Sequence, residues 1–212
     1  MRWRPCGDAA ALVEVDDLDT VLRLHAAVAD ARRDGGLPGV VDLVPAARTL
    51  LLRCATTTDL ERAAETVAGL TLPDVPPATG DTVSLEVTYD GEDLDDVAGH
   101  LGCDVAEVVR RHTSTAWRVA FTGFAPGFGY LVPERDRDAP HPLEVPRRPE
   151  SRTRVPAGAV GLAGEFSGVY PRSSPGGWQL IGSTRTPTWD VDVDPPALLV
   201  PGTRVRFVEA GA

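Results

Sequence analysis

The sequence predicts an α+β protein of two domains, a small α/β domain over residues 1–75 and a β-rich domain over residues 76–212. Three observations carry this prediction. Strand and helix patterns alternate over the first 70 residues, prolines and a glycine interrupt all periodicity over residues 71–80, and short strands between Gly- and Pro-rich turns follow residue 117. At 212 residues, the chain is long enough to bury a large core or to divide into two domains.

The N-terminal domain is predicted to follow the order β-α-β-β-α. Asp16 or Asp17 is placed to cap the first helix and Gly35-Gly36 to end it, while Thr58 with Glu61 has the spacing of a capping box for the second. This order, with or without a final short strand, is typical of a small ferredoxin-like (split βαβ) sheet with both helices on one face. The predicted strands are residues 10–15, 40–44 and 49–53, and the predicted helices are residues 18–31 and 58–70.

The second domain is predicted to open with a strand and two short helices and to continue as a set of short strands. Apolar and polar residues alternate over residues 83–89, which is the period of a half-buried strand. Asp104 with Glu107 is the start signal of the second helix. Short strands with this Gly and Pro punctuation favour a closed barrel or a sandwich. The predicted helices are residues 93–100 and 104–112, and the later strands are residues 117–121, 158–163, 168–170, 179–181, 198–200 and 204–208.

The charge of the chain argues against some partners. A net charge of −10 is unlike that of a general nucleic-acid binder, because binding to a phosphate backbone requires a surplus of cations. Residues 1–109 hold 21 acids against 8 arginines, whereas residues 110–212 hold 10 acids against 13 arginines, so we expect the two halves to face different partners or ligands. We expect a cytoplasmic protein without membrane attachment, because no segment has the apolar length of a signal-peptide core or a membrane span.

All 21 basic residues are arginine. Without lysine, the chain has no side chain for a Schiff base or for covalent biotin, and no P-loop lysine to contact the phosphates of ATP. If the reaction consumes ATP, we expect another chain to hold the nucleotide.

Cysteine and histidine spacing indicates neither a disulfide framework nor a metal site. Cys6, Cys54 and Cys103 are odd in number and far apart, and the four histidines form no HxH or HxxxH pair. His112 ends an apolar helical face just before a predicted strand. It is either an acid, base or hydrogen-bond donor aimed into a pocket, or a capping residue at the end of its helix.

Two segments, residues 121–131 and residues 170–182, concentrate aromatic residues, glycines and prolines. Glycine allows the backbone to approach a neighbour or ligand closely, proline fixes bends, and the rings offer flat apolar surfaces with few rotors to freeze. Each segment alone is equally well explained by tight turns capped with core aromatics. Together they predict a pocket.

Four arginines crowd one proline-bounded loop. Guanidinium groups bind carboxylates and phosphates in a bidentate fork, so the loop is a candidate receptor for such an anion. In the alternative interpretation the arginines pair with Glu144 and Glu150 on a solvated loop. The four are Arg147, Arg148, Arg152 and Arg154.

Three blocks in a fixed order are more specific than either segment alone. They are residues 124–131 (FAPGFGYL), 152–158 (RTRVPAG) and 170–182 (YPRSSPGGWQLIG). In these blocks the chain resembles the family of the 5-oxoprolinase B subunit, also called the KipI or allophanate hydrolase subunit 1 family. Residues 7–15, 38–45 and 201–207 extend the resemblance, since they are similar to the family's opening, second and last strands.

The resemblance implies a cyclophilin-like β-barrel as the second domain, and work in a complex. The chain is similar to one component of an ATP-dependent 5-oxoprolinase, which opens the lactam of pyroglutamate to glutamate. The implied partners are a C-type subunit (KipA-like, or allophanate hydrolase subunit 2-like) and an A-type subunit. The resemblance implies no covalently bound cofactor, with ATP held by a partner. Related domains belong to the carboxyltransferase part of urea carboxylases.

Two alternatives to an enzyme subunit stay open at this stage. One relative in the family is an inhibitor of a sporulation histidine kinase, so the chain is alternatively a non-catalytic binding module that inhibits a sensor histidine kinase. The third interpretation is a scaffold that stabilises the partner subunit.

The predicted site is a cleft in the barrel for a small carboxylated amide or lactam. Aromatic rings form its walls, guanidinium and amide groups contact the substrate, and backbone N–H groups at the glycines receive an oxyanion or a phosphorylated intermediate. No metal ligand is predicted. The candidate catalytic residues are His112 and Arg154. The candidate substrate-binding residues are Phe124, Pro126, Gly127, Phe128, Tyr130, Arg152, Pro156, Tyr170, Pro175, Gly176, Gly177, Trp178 and Gln179.

Overall fold

The computed structural model describes residues 1–74, 82–134, 139 and 141–211. The chain divides into two compact units, Met1–Ala78 and Thr79–Ala212. The predicted boundary after residue 75 and most of the predicted linker lie outside the described residues. The α+β class is confirmed, because each unit combines a largely antiparallel sheet with two helices.

The N-terminal unit is a four-stranded sheet with two helices. Its strands lie in the order β1-β2-β4-β3, and every neighbouring pair is antiparallel. The elements are β1 (Arg2–Pro5), β2 (Ala10–Glu14), α1 (Leu18–Arg33), β3 (Val40–Pro45), β4 (Thr49–Cys54) and α2 (Thr57–Ala68).

Both helices of this unit pack on one face of its sheet. Leu50 and Leu52 of β4 share a buried core with Leu24 of α1 and Val67 of α2, while Arg53 points away from it. The fourth strand is β1, which pairs with β2 at the sheet edge. The sequence left open a closing strand after the second helix, and did not predict this N-terminal one.

Side-chain caps set the start of both helices. The Asp17 carboxylate accepts a hydrogen bond from the Thr20 N–H at 2.8 Å, in agreement with one of the two caps that the sequence allowed. The predicted capping box of Thr58 and Glu61 is wrong. The cap is Thr56, whose extended backbone lets its hydroxyl accept from the Asp59 N–H at 3.1 Å.

The second unit contains nine strands and two helices within its described residues. They are β5 (Thr82–Val87), α3 (Leu94–Leu101), α4 (Val105–Ser114), β6 (Trp117–Thr122), β7 (Gly129–Pro133), β8 (Arg152–Val155), β9 (Ala159–Ala163), β10 (Phe166–Val169), β11 (Ser174–Gly176), β12 (Gln179–Ser183) and β13 (Arg204–Glu209). As predicted, the Asp104 carboxylate caps α4 by accepting from the Glu107 N–H at 2.7 Å.

Seven of these strands form a nearly closed barrel. Their order is β12-β9-β10-β7-β6-β13-β5, and β13 runs parallel to β5 and antiparallel to β6. Thr88, just after β5, and Ser183 of β12 exchange two backbone hydrogen bonds of 2.8 Å, which joins the two edges of the sheet. Strands β8 and β11 form a separate two-stranded ribbon.

The strand predictions of this unit need three corrections. Strands β7, β8 and β11 were not predicted, because their glycines and prolines are typical of turns. Strand β10 begins earlier than predicted and ends at Val169. Residues 198–200 are not a strand; Ala197 beside them makes one isolated bridge to Trp189. None of the helices in the described ranges has both the length and the apolar character needed to cross a membrane.

Candidate functional site

The two aromatic segments meet in the barrel unit. Phe128 of the first segment packs edge-to-face against Tyr170 and Trp178 of the second, with ring centroids 5.3 Å apart in both pairs. Tyr130 lies 5.6 Å from Trp178, and Phe124 lies 6.0 Å from Tyr170. Edge-to-face pairs at these separations are a favoured aromatic arrangement. The segments therefore fold against each other, as their composition predicted.

Most of these rings fill the space between the segments. Phe128, Tyr170 and Trp178 are 1%, 2% and 4% exposed. Phe124 is 58% exposed and Tyr130 is half-buried. The prediction that all five rings wall an open cleft is therefore corrected to a packed cluster with an accessible edge, because the rings bury one another.

The exposed ring of the cluster, Phe124, lies in an unusual turn. Phe124 has φ 65°, in the left-handed region that bulky residues rarely adopt. Hydrogen bonds from the Ala125 N–H to the Gly123 carbonyl (2.7 Å) and from the Phe128 N–H to the Ala125 carbonyl (3.0 Å) fix the turn. Strained backbone of this kind concentrates at binding sites. Phe124 borders a shallow groove of about 440 Å³, whose other walls include Pro126, Gly127, Trp189 and Val200.

The predicted site glycines allow close approach of protein groups. A Cβ on Gly177 would lie 2.8 Å from the Ser151 hydroxyl, and one on Gly127 would lie 2.8 Å from the Thr188 carbonyl. A Cβ on Gly176 would collide with the Tyr170 hydroxyl. Packing thus explains these glycines, and the reception of an anion by their N–H groups stays a hypothesis.

A buried carboxylate, Asp93, organises the arginine loop. Its Oδ1 accepts hydrogen bonds from Arg148 Nη1 and from Arg152 Nη2 (2.7 Å), and its Oδ2 accepts from the Leu180 N–H (2.7 Å). Burial by itself raises the pKa of Asp93, but the hydrogen bonds from Arg152 and Leu180 and the two guanidinium charges lower it below its ordinary value. Sequence reasoning missed Asp93, because it stands among several acids at a helix start and resembles an ordinary N-cap.

The arginines of the loop divide into paired and unpaired members. Arg152 also contacts the exposed Glu92 at 3.1 Å, so two carboxylates surround its guanidinium. Among the described residues, neither Glu144 nor Glu150 forms an ion pair with the loop, which contradicts the alternative pairing considered from sequence. Arg154 is exposed on β8 and donates to the Ser173 hydroxyl at 3.2 Å. Pro156 and Pro175 are likewise exposed, on or next to the ribbon of β8 and β11.

Gln179 is the most deeply buried polar candidate among the substrate-binding residues. It is 3% exposed, and its Nε2 donates to the Pro146 carbonyl at 3.2 Å. Within the described residues, Gln179 Oε1, Arg148 Nε and Arg152 Nη1 are buried and have no hydrogen-bond partner. Buried polar atoms normally have partners, so each of these three atoms is a position where an added polar group is favoured.

His112 lies in the barrel core. It has no exposed surface, its Nδ1 is 2.7 Å from the Tyr89 hydroxyl, and its Nε2 is 3.0 Å from the Ser167 hydroxyl. The ring stacks on Phe207 at 4.1 Å. Burial lowers the pKa of His112 to about 3, so the ring is neutral near pH 7. This geometry corrects the hypothesis of a catalytic histidine aimed into a pocket, because both nitrogens are engaged inside the core.

No metal site forms within the described ranges. No group of three or more His, Cys, Asp or Glu side chains in that part of the chain is placed to hold an ion. Cys6, Cys54 and Cys103 are free thiols, and burial raises the pKa of the Cys54 thiol above its ordinary value.

Comparison with known proteins gives one consistent set of relatives. Residues 1–199 match the family model of the carboxyltransferase domain, subdomain C and D. The chain is 36% identical over 207 residues to the B subunit of 5-oxoprolinase from Escherichia coli O157:H7, and the match covers 95% of this chain and 93% of that protein.

Among solved structures, the chain is similar to TTHA0988, with a TM-score of 0.76 and 34% identity over 96% of this chain and 40% of that one. The urea amidolyase of K. lactis shares the fold, with a TM-score of 0.80 at 20% identity, over 98% of this chain and 15% of that one. The chain therefore spans less than half the length of either solved protein.

Proposed function

Because the chain belongs to the carboxyltransferase-domain family, subdomain C and D, we propose that it is the B-type subunit of an ATP-dependent 5-oxoprolinase. In this reaction water adds to the lactam carbonyl carbon of 5-oxoproline. The ring C–N bond breaks, the nitrogen takes a proton, and glutamate is formed. Hydrolysis of ATP to ADP and phosphate drives the opening of the ring.

One observation carries the assignment of the substrate site, namely the contact between the two aromatic segments beside the arginine loop. The accessible edge at Phe124, which is 58% exposed, offers flat apolar surface to a small ring. Arg154, on the adjacent exposed ribbon, supplies a cation whose only described contact is a neutral hydroxyl. A small carboxylated lactam matches this combination of apolar and cationic surface.

The partners belong to the same proposal. A C-type and an A-type subunit complete the complex, and a partner holds ATP, since the chain has no lysine and no P-loop. We also propose the finer fold names, a ferredoxin-like N-terminal unit and a cyclophilin-like barrel. The nearly closed sheet and the antiparallel order of the N-terminal sheet support these names.

Reconstitution tests the proposal. With both partners and ATP the chain is expected to support hydrolysis of 5-oxoproline, and omission of the chain is expected to abolish it. Phe124→Ala and Arg154→Ala should each lower kcat/KM about 10-fold, which corresponds to about 1.4 kcal/mol. Arg62→Ala, on an exposed face of α2, is the matched control and should leave the rate unchanged. Wild-type rates in both site variants would remove the site from contention.

A second candidate function is supported by the apolar groove beside Phe124. Exposed Phe124, Trp189 and Val200 line it, and proline-bearing peptide loops suit apolar surfaces of this kind. As a binding module, the chain alone would suppress autophosphorylation of a sensor histidine kinase, and Phe124→Ala would relieve the inhibition. Turnover of 5-oxoproline without any effect on the kinase would exclude this alternative.

A further inference from the structure

Asp93 stands at the N-cap of α3 but does not cap that helix. An aspartate at this position normally accepts a hydrogen bond from a backbone N–H of the first turn, whereas the Asp93 carboxylate makes no cap hydrogen bond to α3, all of whose residues the structure describes. It is 1% exposed and accepts instead from Arg148, Arg152 and the Leu180 N–H. The carboxylate therefore serves the arginine loop and strand β12 rather than its own helix.

Strand β12 fixes the position of this carboxylate. The Asp93 N–H donates to the Leu180 carbonyl at 3.0 Å, and Asp93 Oδ2 accepts from the Leu180 N–H at 2.7 Å. A Cβ on Gly91 would collide with the Leu180 carbonyl, so the backbone before Asp93 also packs directly on β12. Asp93 is therefore a fixed point on the barrel, to which the two guanidinium groups are bound.

Strand β8 is held at both of its ends. Arg152 begins the strand, and its Nη2 donates to Asp93 Oδ1 at 2.7 Å. Val155 ends the strand; it is fully buried and pairs with Ser174 of β11. The first end is thus tied to the barrel through Asp93, and the second through the core.

Arg154 lies between these two ends, where the ribbon of β8 and β11 is irregular. The first and last residues of β8 pair with Gly176 and Ser174, which leaves two residues of β8 opposite the single residue Pro175. Pro175 has no N–H to donate. A β-bulge of this kind re-aims a side chain, and such bulges are over-represented next to active sites. Because Arg154 is one of the two bulged residues, its direction depends on how the ends of β8 are held.

We propose that Asp93 is a positioning residue of the substrate site, which acts through Arg152 to fix the direction of the Arg154 guanidinium. The proposal rests on the proposed function, in which Arg154 is the cation of that site. A carboxylate suits the role because both of its oxygens accept hydrogen bonds, one from the guanidinium groups and the other from the Leu180 N–H. An asparagine offers one acceptor and one donor, so it cannot satisfy both sides.

Arg147, the other exposed arginine of the loop, depends less on Asp93. The residues on both sides of Arg147 are hydrogen-bonded directly to Gly177 and Gln179 of the second aromatic segment. Loss of the Asp93 carboxylate is therefore expected to disturb Arg154 and to spare the backbone of Arg147.

A double-mutant cycle in the reconstituted complex tests the coupling between Asp93 and Arg154. Asp93→Asn is expected to lower kcat/KM for 5-oxoproline about 10-fold, as is Arg154→Ala, because either change removes a correctly placed cation. With both changes in one chain the loss should stay at about 10-fold, since a residue that acts through Arg154 has no further effect once that side chain is gone. Losses that multiply to about 100-fold would mean that Asp93 acts independently of Arg154, and would overturn the proposal. Glu134→Gln, which breaks the ion pair with Arg204 in the same unit, is the matched control and should leave the rate unchanged with and without Arg154.

NMR relaxation of the isolated chain separates this proposal from the proposed function. In the wild type, the amides of Thr153 and Arg154 are expected to be as rigid as those of β9, with order parameters of about 0.85, and in Asp93→Asn they should fall below about 0.6. The amides of β9 and of Arg147 should keep their values. If the complex fails to hydrolyse 5-oxoproline while this loosening is seen, the fixing of Arg154 by Asp93 stands and the enzymatic function falls. Unchanged order parameters at these two residues would show that the proposal is wrong.

A second variant breaks the same link with less disturbance of the core. Arg152→Gln leaves Asp93 its hydrogen bonds with Arg148 and Leu180, so it tests the link even if Asp93→Asn does not fold. It should loosen the same two amides of β8, and amides as rigid as in the wild type would contradict the proposal.

Discussion

Burial and hydrogen-bond partners together set the protonation of two polar residues in the barrel unit. Burial keeps His112 neutral between two hydroxyls, whereas two arginines and an N–H hold Asp93 ionised. The pKa values of these two residues are set by different effects. Desolvation dominates at His112, which has no charge nearby, whereas ion pairing dominates at Asp93, which lies beside two cations.

The neutral state of His112 makes the stability of the protein depend on pH. The unfolded chain takes up this proton below a pKa of about 6.5, whereas the folded chain does so only below about 3. Between these values the unfolded state binds more protons, so stability falls as pH drops, by up to about 1.4 kcal/mol per pH unit from this group. His112→Gln removes the titration and loses about 1–3 kcal/mol at pH 7.5 through broken hydrogen bonds.

Urea unfolding of both proteins at pH 7.5 and pH 5 measures this contribution. The stability gap between wild type and His112→Gln is expected to narrow at pH 5. A gap of the same size at both values would contradict a neutral buried ring.

At the scale of single residues, the sequence indicated which residues are important but not what each of them contacts. It singled out His112 and the arginines of the loop, and it predicted contact between the aromatic segments. It could not show that Phe128, Tyr170 and Trp178 bury one another. Nor could it show that Arg152 is paired with Asp93, since their contact joins residues 59 apart.

Elements were predicted well where local chemistry determines them. Helices α1, α3 and α4 and strands β2, β4, β6 and β13 lie close to their predicted positions, because periodicity and caps are local signals. Strands β1, β7, β8 and β11 were missed. Each depends on partners supplied by the fold, and β7 pairs with both β6 and β10 despite its glycine and proline.

The structure and the sequence prediction differ on which residue caps the N-terminus of α2. Thr56→Ala removes the hydroxyl that accepts from the Asp59 N–H, and it should lower the free energy of unfolding by about 1 kcal/mol. Thr58→Ala, the cap predicted from sequence, is the matched control and should cost less than about 0.5 kcal/mol. Thermal or urea unfolding decides between them. A larger loss in Thr58→Ala would restore the predicted capping box.

The whole molecule has separate cores in its two compact units. The N-terminal core draws its residues from the first 72 positions, and the barrel cores draw theirs from residue 83 onward. The negative charge of the chain does not follow this division, since residues 1–78 hold 12 acids against 8 arginines and residues 79–212 hold 19 acids against 13 arginines. The break in periodicity over residues 71–80 is visible in the sequence, and the domain boundary predicted there stays a prediction.

Separate cores predict that a cavity in one unit leaves the other intact. Leu52 is fully buried in the N-terminal core, so Leu52→Ala should destabilise that unit by roughly 3–5 kcal/mol. Native-state hydrogen exchange should then show faster exchange in β2 and β4, while the amides of β6 and β9 keep their protection. Leu162→Ala, in the barrel core, is the reciprocal variant and should give the opposite pattern. Loss of protection in both units from either change would mean that the two cores unfold as one cooperative body.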